Sequence, residues 1–436
     1  MELTVVLLIV FMAVMVAVSP VITGTQRWFN PLTAFNVPHI FLLVCYLIGI
    51  EREVFYFILG DKALFLLVSG YVSFDVGVVS FALIANKSRL SIRSSWNWQI
   101  KVAQLLVYAS LVLMMVSVTI KYFILLRTYG NILSSIVAIR LDYVSGALNY
   151  SVWNTAAFVS CSVLMVNLGV LMGSSHGYPF KRLVVVLTIL FVIANDVTIG
   201  GANWTFSSLC LFICSFAITK EHIAPIKIGV RIIRGLAVTL SLAAGLVFLL
   251  LYFRSEGELG GKTSFSDIIL YYAGGDIATF GYFVDFPYSS EPSGRYTFGG
   301  LYGIVNSVTS ILTDSFLPYV DPEDYVAEIG MGRRSNTSIH MAHYYCDFGG
   351  LGVIAGNYLL GFVVMWLMSR YCRKATLLRL QYISLMLFTC VISIRSVPSE
   401  GKYFWLLLLI FPVLVSLGSA FLQRAGKGEL CLETSS

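Results

Sequence analysis

Residues 333–361 read RRSNTSIHMAHYYCDFGGLGVIAGNYLLG. The first half is polar and aromatic, and the second half is apolar, glycine-spaced and free of charge, so a densely functionalised segment meets the start of a membrane helix. Two arginines, an asparagine, two histidines, two tyrosines and a carboxylate converge there on one bilayer boundary. Any chemistry this chain carries is expected at that boundary.

Working outward, the composition fixes the solvent. The 436 residues are 58% hydrophobic and 12% charged, with mean hydropathy +0.83, far from a soluble globular profile. A helix needs about 20 mostly apolar residues to cross a hydrocarbon core of about 30 Å. Such runs recur at 3–22, 36–50, 63–85, 102–126, 152–173, 183–196, 202–219, 235–253, 347–369, 377–394 and 403–422. The expectation is an all-α polytopic membrane protein with about eleven transmembrane helices. It divides into an N-terminal bundle of about eight spans over 1–253, a large outer loop over 254–346, C-terminal membrane helices over 347–422 and a cytoplasmic tail over 423–436.

Basic residues in short loops stay on the cytoplasmic side. Loop 86–101 holds Lys87, Arg89, Arg93 and Lys101, and loop 174–182 holds Lys181 and Arg182. Loop 220–234 holds Lys220, Lys227, Arg231 and Arg234, and loop 370–379 holds Arg370, Arg373, Lys374 and Arg379. All four fall inside if the N-terminus is outside and the C-terminus inside. The opening MELTVV lacks a basic flank and reads as a retained first span rather than a cleaved signal. The net charge of +6 reflects that inside bias and calls for no nucleic-acid partner.

Most of the eight cysteines fall within spans, so no disulfide framework is expected. Walker, GxGxxG and HExxH patterns are missing, which leaves nucleotide-fuelled transport and zinc-peptidase chemistry without sequence support. The loop between the first two spans carries Pro31 and Pro38. Asp75 lies in mid-span, where a carboxylate is costly, so it reads as either a functional group or a hydrogen-bonded packing residue. Residues 127–150 suit an amphipathic helix at the interface. Asp196 to Asn203 reads as a tight Gly-rich outer turn.

The outer loop is dense in Tyr and Phe, so it is expected to be ordered, with half-inserted helices near 265–284 and 297–315. It also offers Arg254, Arg295, Arg333 and Arg334, and guanidinium forks bind phosphate oxygens bidentately. A pyrophosphate at the membrane surface suits such a set. His340, His343 and Asp347 stand at i, i+3 and i+7, on one face if the segment is helical. That face suits a base with its orienting carboxylate better than a metal, because further ligands at metal spacing are missing, and polar packing at the interface is the third reading. On a helix, Arg333 and Arg334 would point about 100° apart and play unequal roles, one of them paired with a carboxylate such as Glu328.

The run Asn336-Thr-Ser-Ile-His-Met-Ala-His-Tyr-Tyr-Cys-Asp347-Phe-Gly-Gly-Leu-Gly352, with Tyr271-Tyr-Ala-Gly-Gly275 and Arg295-Tyr-Thr-Phe-Gly299 upstream, resembles bacterial O-antigen and oligosaccharide repeat-unit polymerases. The order and number of spans are similar over nearly the whole chain. One departure is that such proteins often carry an arginine after a glycine at the hairpin matching 196–203, where this chain reads Gly200-Gly-Ala-Asn203. The resemblance implies a glycosyltransferase of the bacterial inner membrane that works with undecaprenyl-pyrophosphate-linked glycans as donor and acceptor. No metal or other cofactor is expected, because the outer carboxylates do not cluster at metal-ligand spacing and the arginines can take the pyrophosphate charge. The resemblance implies His340, His343 and Asp347 as catalytic candidates, and Arg254, Arg295, Arg333, Arg334, Asn336 and Tyr344 as pyrophosphate- or substrate-binding candidates. Membrane lipids, a polysaccharide co-polymerase that regulates chain length and a repeat-unit flippase are the implied partners. An O-antigen ligase acting on lipid A core has a similar pattern of spans. A flippase would instead be expected to show an inverted repeat and charges spread through the bundle.

Overall fold

The computed structural model of the chain describes residues 1–23, 28–85, 96–132, 135–144, 147–148, 150, 152–174, 180–199, 203–223, 264–286, 294–312, 327–330, 333–335, 337–396, 399 and 401–433. These residues are mostly helical. In order they form α1 (Glu2–Ile22), α2 (Pro31–Glu51), α3 (Asp61–Ile84), α4 (Trp96–Tyr129), α5 (Ile136–Val144), α6 (Val152–Gly173), α7 (Lys181–Val197) and α8 (Asn203–Ile223). Then come α9 (Phe265–Asp285), α10 (Gly299–Leu312), β1 (Ala327–Gly330), β2 (Arg333–Ser335), α11 (His340–Arg373), α12 (Leu377–Ile392) and α13 (Lys402–Glu433). The two strands form an antiparallel pair that sets Gly330 opposite Arg333 and Glu328 opposite Arg334.

Among the described residues, seven helices are long and apolar enough to cross a membrane: α1, α2, α3, α4 from Gln99, α6, α11, and α13 as far as Arg424. The chain is a membrane-embedded helical protein. Helices α7, α8 and α12 coincide with three further expected spans, and the expected span 235–253 lies outside the described residues. Among the described residues, Cys45, Cys161, Cys210, Cys214, Cys346, Cys372 and Cys390 are buried and form no disulfide.

The expected loop around Pro31 and Pro38 is instead helix. Asn30 accepts the backbone N–H groups of Leu32 and Thr33 at 3.0 and 3.3 Å and starts α2 five residues before the expected 36. Pro31 takes the first helical position, where its missing N–H costs nothing. Pro38 sits within the helix, where it removes one hydrogen bond and leaves the apolar run unbroken.

The chain forms two compact units: Met1–Leu90 with Leu259–Lys374 and Leu385–Trp405, and Ser91–Glu258 with Ala375–Ser384 and Leu406–Ser436. In the first unit α9 packs along α2 and α3 along α11, so described parts of the expected outer loop share a core with the first helices. At Gly274, within the Tyr271–Gly275 motif, an added Cβ would lie 2.8 Å from the backbone nitrogen of Tyr46. Helix-to-helix approach is a sufficient reason for glycine there.

In the second unit α6 packs against α4 and α8. The fully buried Lys121 donates to Asn154 at 3.0 Å and to Asn195 at 2.8 Å, and its ammonium lies 4.8 Å from the Tyr150 ring centroid. Asp196 accepts from the backbone of Trp204 and Thr205 at 3.2 and 2.7 Å. It thereby satisfies N–H groups that the first turn of α8 leaves free, so the carboxylate at the Gly-rich turn serves as a helix cap. Within 127–150 a short helix, α5, is present beyond an α4 that runs on to Tyr129.

Candidate functional site

The polar segment does not run straight into a membrane helix. Helix α11 breaks at Gly349, where φ is 64° and ψ is −158°, a region open essentially only to glycine. The arm before the break folds back on the turns after it. An added Cβ at Gly352 would lie 2.5 Å from the Tyr344 carbonyl oxygen, and one at Gly356 would lie 2.7 Å from the Tyr344 ring. The fold-back also brings His340 Nε2 to within 2.6 Å of Asn357 Oδ1, seventeen residues along the chain. The run Asp347-Phe-Gly-Gly-Leu-Gly352 therefore has a backbone reason: one glycine reverses the chain and the next ones leave room for the returning arm.

Asp347 sits just before this break, 1% exposed. Its Oδ1 accepts the Tyr296 N–H at 3.2 Å and its Oδ2 accepts the Thr297 N–H at 2.6 Å. Charge-assisted bonds of this kind are the stronger ones, and here they clamp the loop that carries Arg295. The Thr297 carbonyl in turn accepts Ser399 Oγ at 2.6 Å, and the Ser399 carbonyl accepts Trp405 Nε1 at 2.7 Å. Asp347 is thus a tether between the α11 arm and the Arg295 loop, with each carboxylate oxygen engaged.

The expected common face of His340, His343 and Asp347 forms as helix, but His340 and Asp347 are each taken up by partners within the protein. His340 Nδ1 lies 2.9 Å from the Ser393 carbonyl oxygen, and its Nε2 faces Asn357 Oδ1. The Asn357 amide is fixed in that sense because its Nδ2 donates to the Val353 carbonyl at 2.8 Å. Both ring nitrogens therefore meet acceptors, and a neutral imidazole can donate through only one. His340 holds the fold-back together and presents no free nitrogen to a substrate. His343 and Tyr344 are buried on the same arm. No cluster of three or more His, Cys, Asp or Glu with the arrangement of a metal site occurs among the described residues.

The arginines divide. Arg295 is partly buried in the clamped loop. Arg333 and Arg334 lie in β2, not in a helix, so the expected 100° divergence does not apply. Arg334 is the strand partner of Glu328, the carboxylate expected to pair with one of them. Arg254 and Asn336 lie outside the described residues.

Sequence reasoning missed Arg395, on the turn after α12. This guanidinium interacts electrostatically with the buried Asp276 of α9, whose Oδ1 accepts Thr337 Oγ1 at 2.6 Å. Burial pushes the Asp276 carboxyl up to about 6, against the smaller downward pulls of Arg395 and the Thr337 hydroxyl. A signal for Arg395 was available, since it is a further arginine on the side of the alternation that carries Arg254, Arg295, Arg333 and Arg334. Sequence reading also gathers the polar residues at the outer boundary, whereas buried polar groups occur within the helices as well, at Asn36, His39, Asp75, Lys121, Asn167 and Gln381.

In the first unit, then, the Arg295 loop, the turn carrying Ser393, Arg395 and Ser399, helix α9 through Asp276, and the histidine-bearing arm of α11 are tied into one assembly. No protein-family model, curated protein or solved structure matches this chain.

Proposed function

We propose that this protein is a membrane-embedded glycosyltransferase that polymerises undecaprenyl-pyrophosphate-linked oligosaccharide repeat units at the periplasmic face of the bacterial inner membrane. In this reading α7, α8, α12 and residues 235–253 join the seven long apolar helices as spans, giving eleven. The N-terminus is periplasmic and the C-terminus cytoplasmic, as the basic loops indicate.

One observation carries the reading: Asp347, Ser399 and His340 hold the segments bearing Arg295 and Arg395 against the α11 arm. The donor's glycosyl–pyrophosphate bond already supplies a good leaving group. The protein must therefore hold two lipids in register and stabilise the departing pyrophosphate. Guanidinium groups on clamped loops supply bidentate donors for that charge. The bond from the anomeric carbon to the pyrophosphate oxygen breaks, a bond to the acceptor hydroxyl oxygen forms, and the hydroxyl proton passes to a base, a role we assign to His343. Metal is not required in this scheme.

The test is the surface-glycan ladder of a strain lacking the protein, complemented with Arg295→Ala, Arg395→Ala, His343→Gln or the wild type at equal membrane abundance. Polymerase action predicts that one repeat unit is retained and long chains are lost, and that each variant fails to restore them. Complete loss of added units in the deletion strain would instead indicate a ligase or flippase. Full-length glycan from both arginine variants would reject the arginine-centred site.

A further inference from the structure

Within the first unit, α2, α3 and α11 enclose a polar cluster that the proposed chemistry does not use. Asn36 Nδ2 donates to Asp75 Oδ1 at 2.9 Å. Three residues along α2 and four back along α3, the His39 and Tyr71 rings meet edge to face with centroids 5.0 Å apart. The His340 ring lies 5.8 Å from that of His39. Asn36, His39 and Tyr71 are fully buried, and Asp75 and His340 are 1% exposed.

Hydrogen-bond accounting in this cluster does not close. Asp75 Oδ2, Asn36 Oδ1, His39 Nε2 and the Tyr71 hydroxyl are all buried without a partner. His39 Nδ1 lies 2.7 Å from the Phe35 carbonyl and must donate to it, which leaves Nε2 as a bare lone pair. The unmatched atoms are thus three acceptors and one hydroxyl, beside a His340 ring that meets acceptors on both sides. Such an imbalance between helices calls for a missing donor.

The charge does not close either. Helices α1, α2 and α9 contain no Lys or Arg, and α11 has none before Arg370. Their carboxylates, Glu2, Glu51, Asp267, Asp276, Asp285 and Asp347, add only negative charge. Lys62 lies more than three turns away on α3 itself, and Arg395, on the turn whose Ser393 carbonyl meets His340, interacts with Asp276; the polar side chain brought onto Asp75 is that of Asn36. An isolated carboxylate between membrane helices is costly enough that a neutralising partner is expected.

We propose that this cluster is a buried proton-binding site. Asp75 takes one proton from the aqueous phase onto its carboxylate, an O–H bond forming as hydronium gives up the proton and leaves as water. The proton occupies Oδ2, the oxygen without a partner, while the Asn36 amide holds Oδ1. The site is separate from the glycosyl-transfer reading and stands or falls without it.

The test uses infrared spectroscopy on the purified full-length protein at neutral pH, unlabelled and with 13C-labelled aspartate. The expected result is a carbonyl stretch of a protonated carboxylic acid that shifts on labelling, disappears in Asp75→Asn and persists in Asp276→Asn. Asn36→Leu keeps Asp75 and should move the band, because the carboxyl loses the amide that donates to Oδ1. That variant and the labelled wild type decide the matter even if Asp75→Asn fails to fold. Lack of an aspartate-derived acid band at neutral pH, or its persistence in Asp75→Asn, overturns the proposal. Loss of the band on replacing potassium by sodium overturns it in favour of a sodium site.

Discussion

Replacing Gly349 by Ala isolates the backbone reversal on which the candidate site depends. Nothing lies within 4 Å of the position an added Cβ would take at Gly349, so the substitution meets no steric neighbour. Its cost is conformational: at φ 64° and ψ −158° an L-residue is strained by about 1–3 kcal/mol. That corresponds to a shift of roughly 5- to 150-fold against the folded-back arm. The matched control is Gly303→Ala in α10, which also has nothing within 4 Å but lies in ordinary helix. There, Ala should be neutral or stabilise by up to about 1 kcal/mol. Purified variants would be compared by thermal midpoint in detergent and by amide hydrogen exchange across 340–348. Gly349→Ala should lower the midpoint and deprotect the arm, and Gly303→Ala should do neither. Equal behaviour of the two would refute the argument that the break at Gly349 sets the fold-back.

Asp347→Asn leaves one of the Tyr296 and Thr297 N–H groups facing an amide instead of a carboxylate oxygen, at a cost of roughly 1–3 kcal/mol; faster exchange or proteolysis confined to 294–299 is the expected readout. Asp276 holds its proton more tightly when folded, near 6 against an ordinary 3.8. Its contribution to stability is therefore complete below about pH 4 and is lost as pH rises through about 6, amounting to roughly 3 kcal/mol; Asp276→Asn should flatten that part of the pH–stability curve. Reporter fusions after Lys262 and Asp321 should be extracytoplasmic and those after Arg93 and Arg373 cytoplasmic; a cytoplasmic signal at Lys262 would overturn the orientation. Chelator added to purified protein polymerising lipid-linked units should leave the rate unchanged, and loss restored by one particular metal would make the case for a metal site.

The sequence alone settled the solvent, the helical class and the position of most long helices, because apolar runs of membrane length admit few other structures. It also located the segment 333–361 as exceptional. What it left open was direction. A break at one glycine turns the expected entry into a membrane helix into a returning arm, and periodicity cannot register a reversal that rests on a single φ. The roles of Asp347 and His340 were hidden for the same reason: their partners, Tyr296, Thr297, Ser393 and Asn357, lie 17 to 53 residues away. Arg395 and the surroundings of Asp75 likewise depended on packing. A carboxylate in mid-span is visible in the sequence, but whether a neighbouring helix satisfies it is decided only when Asn36 is brought alongside, donating to one carboxylate oxygen and leaving the other without a donor.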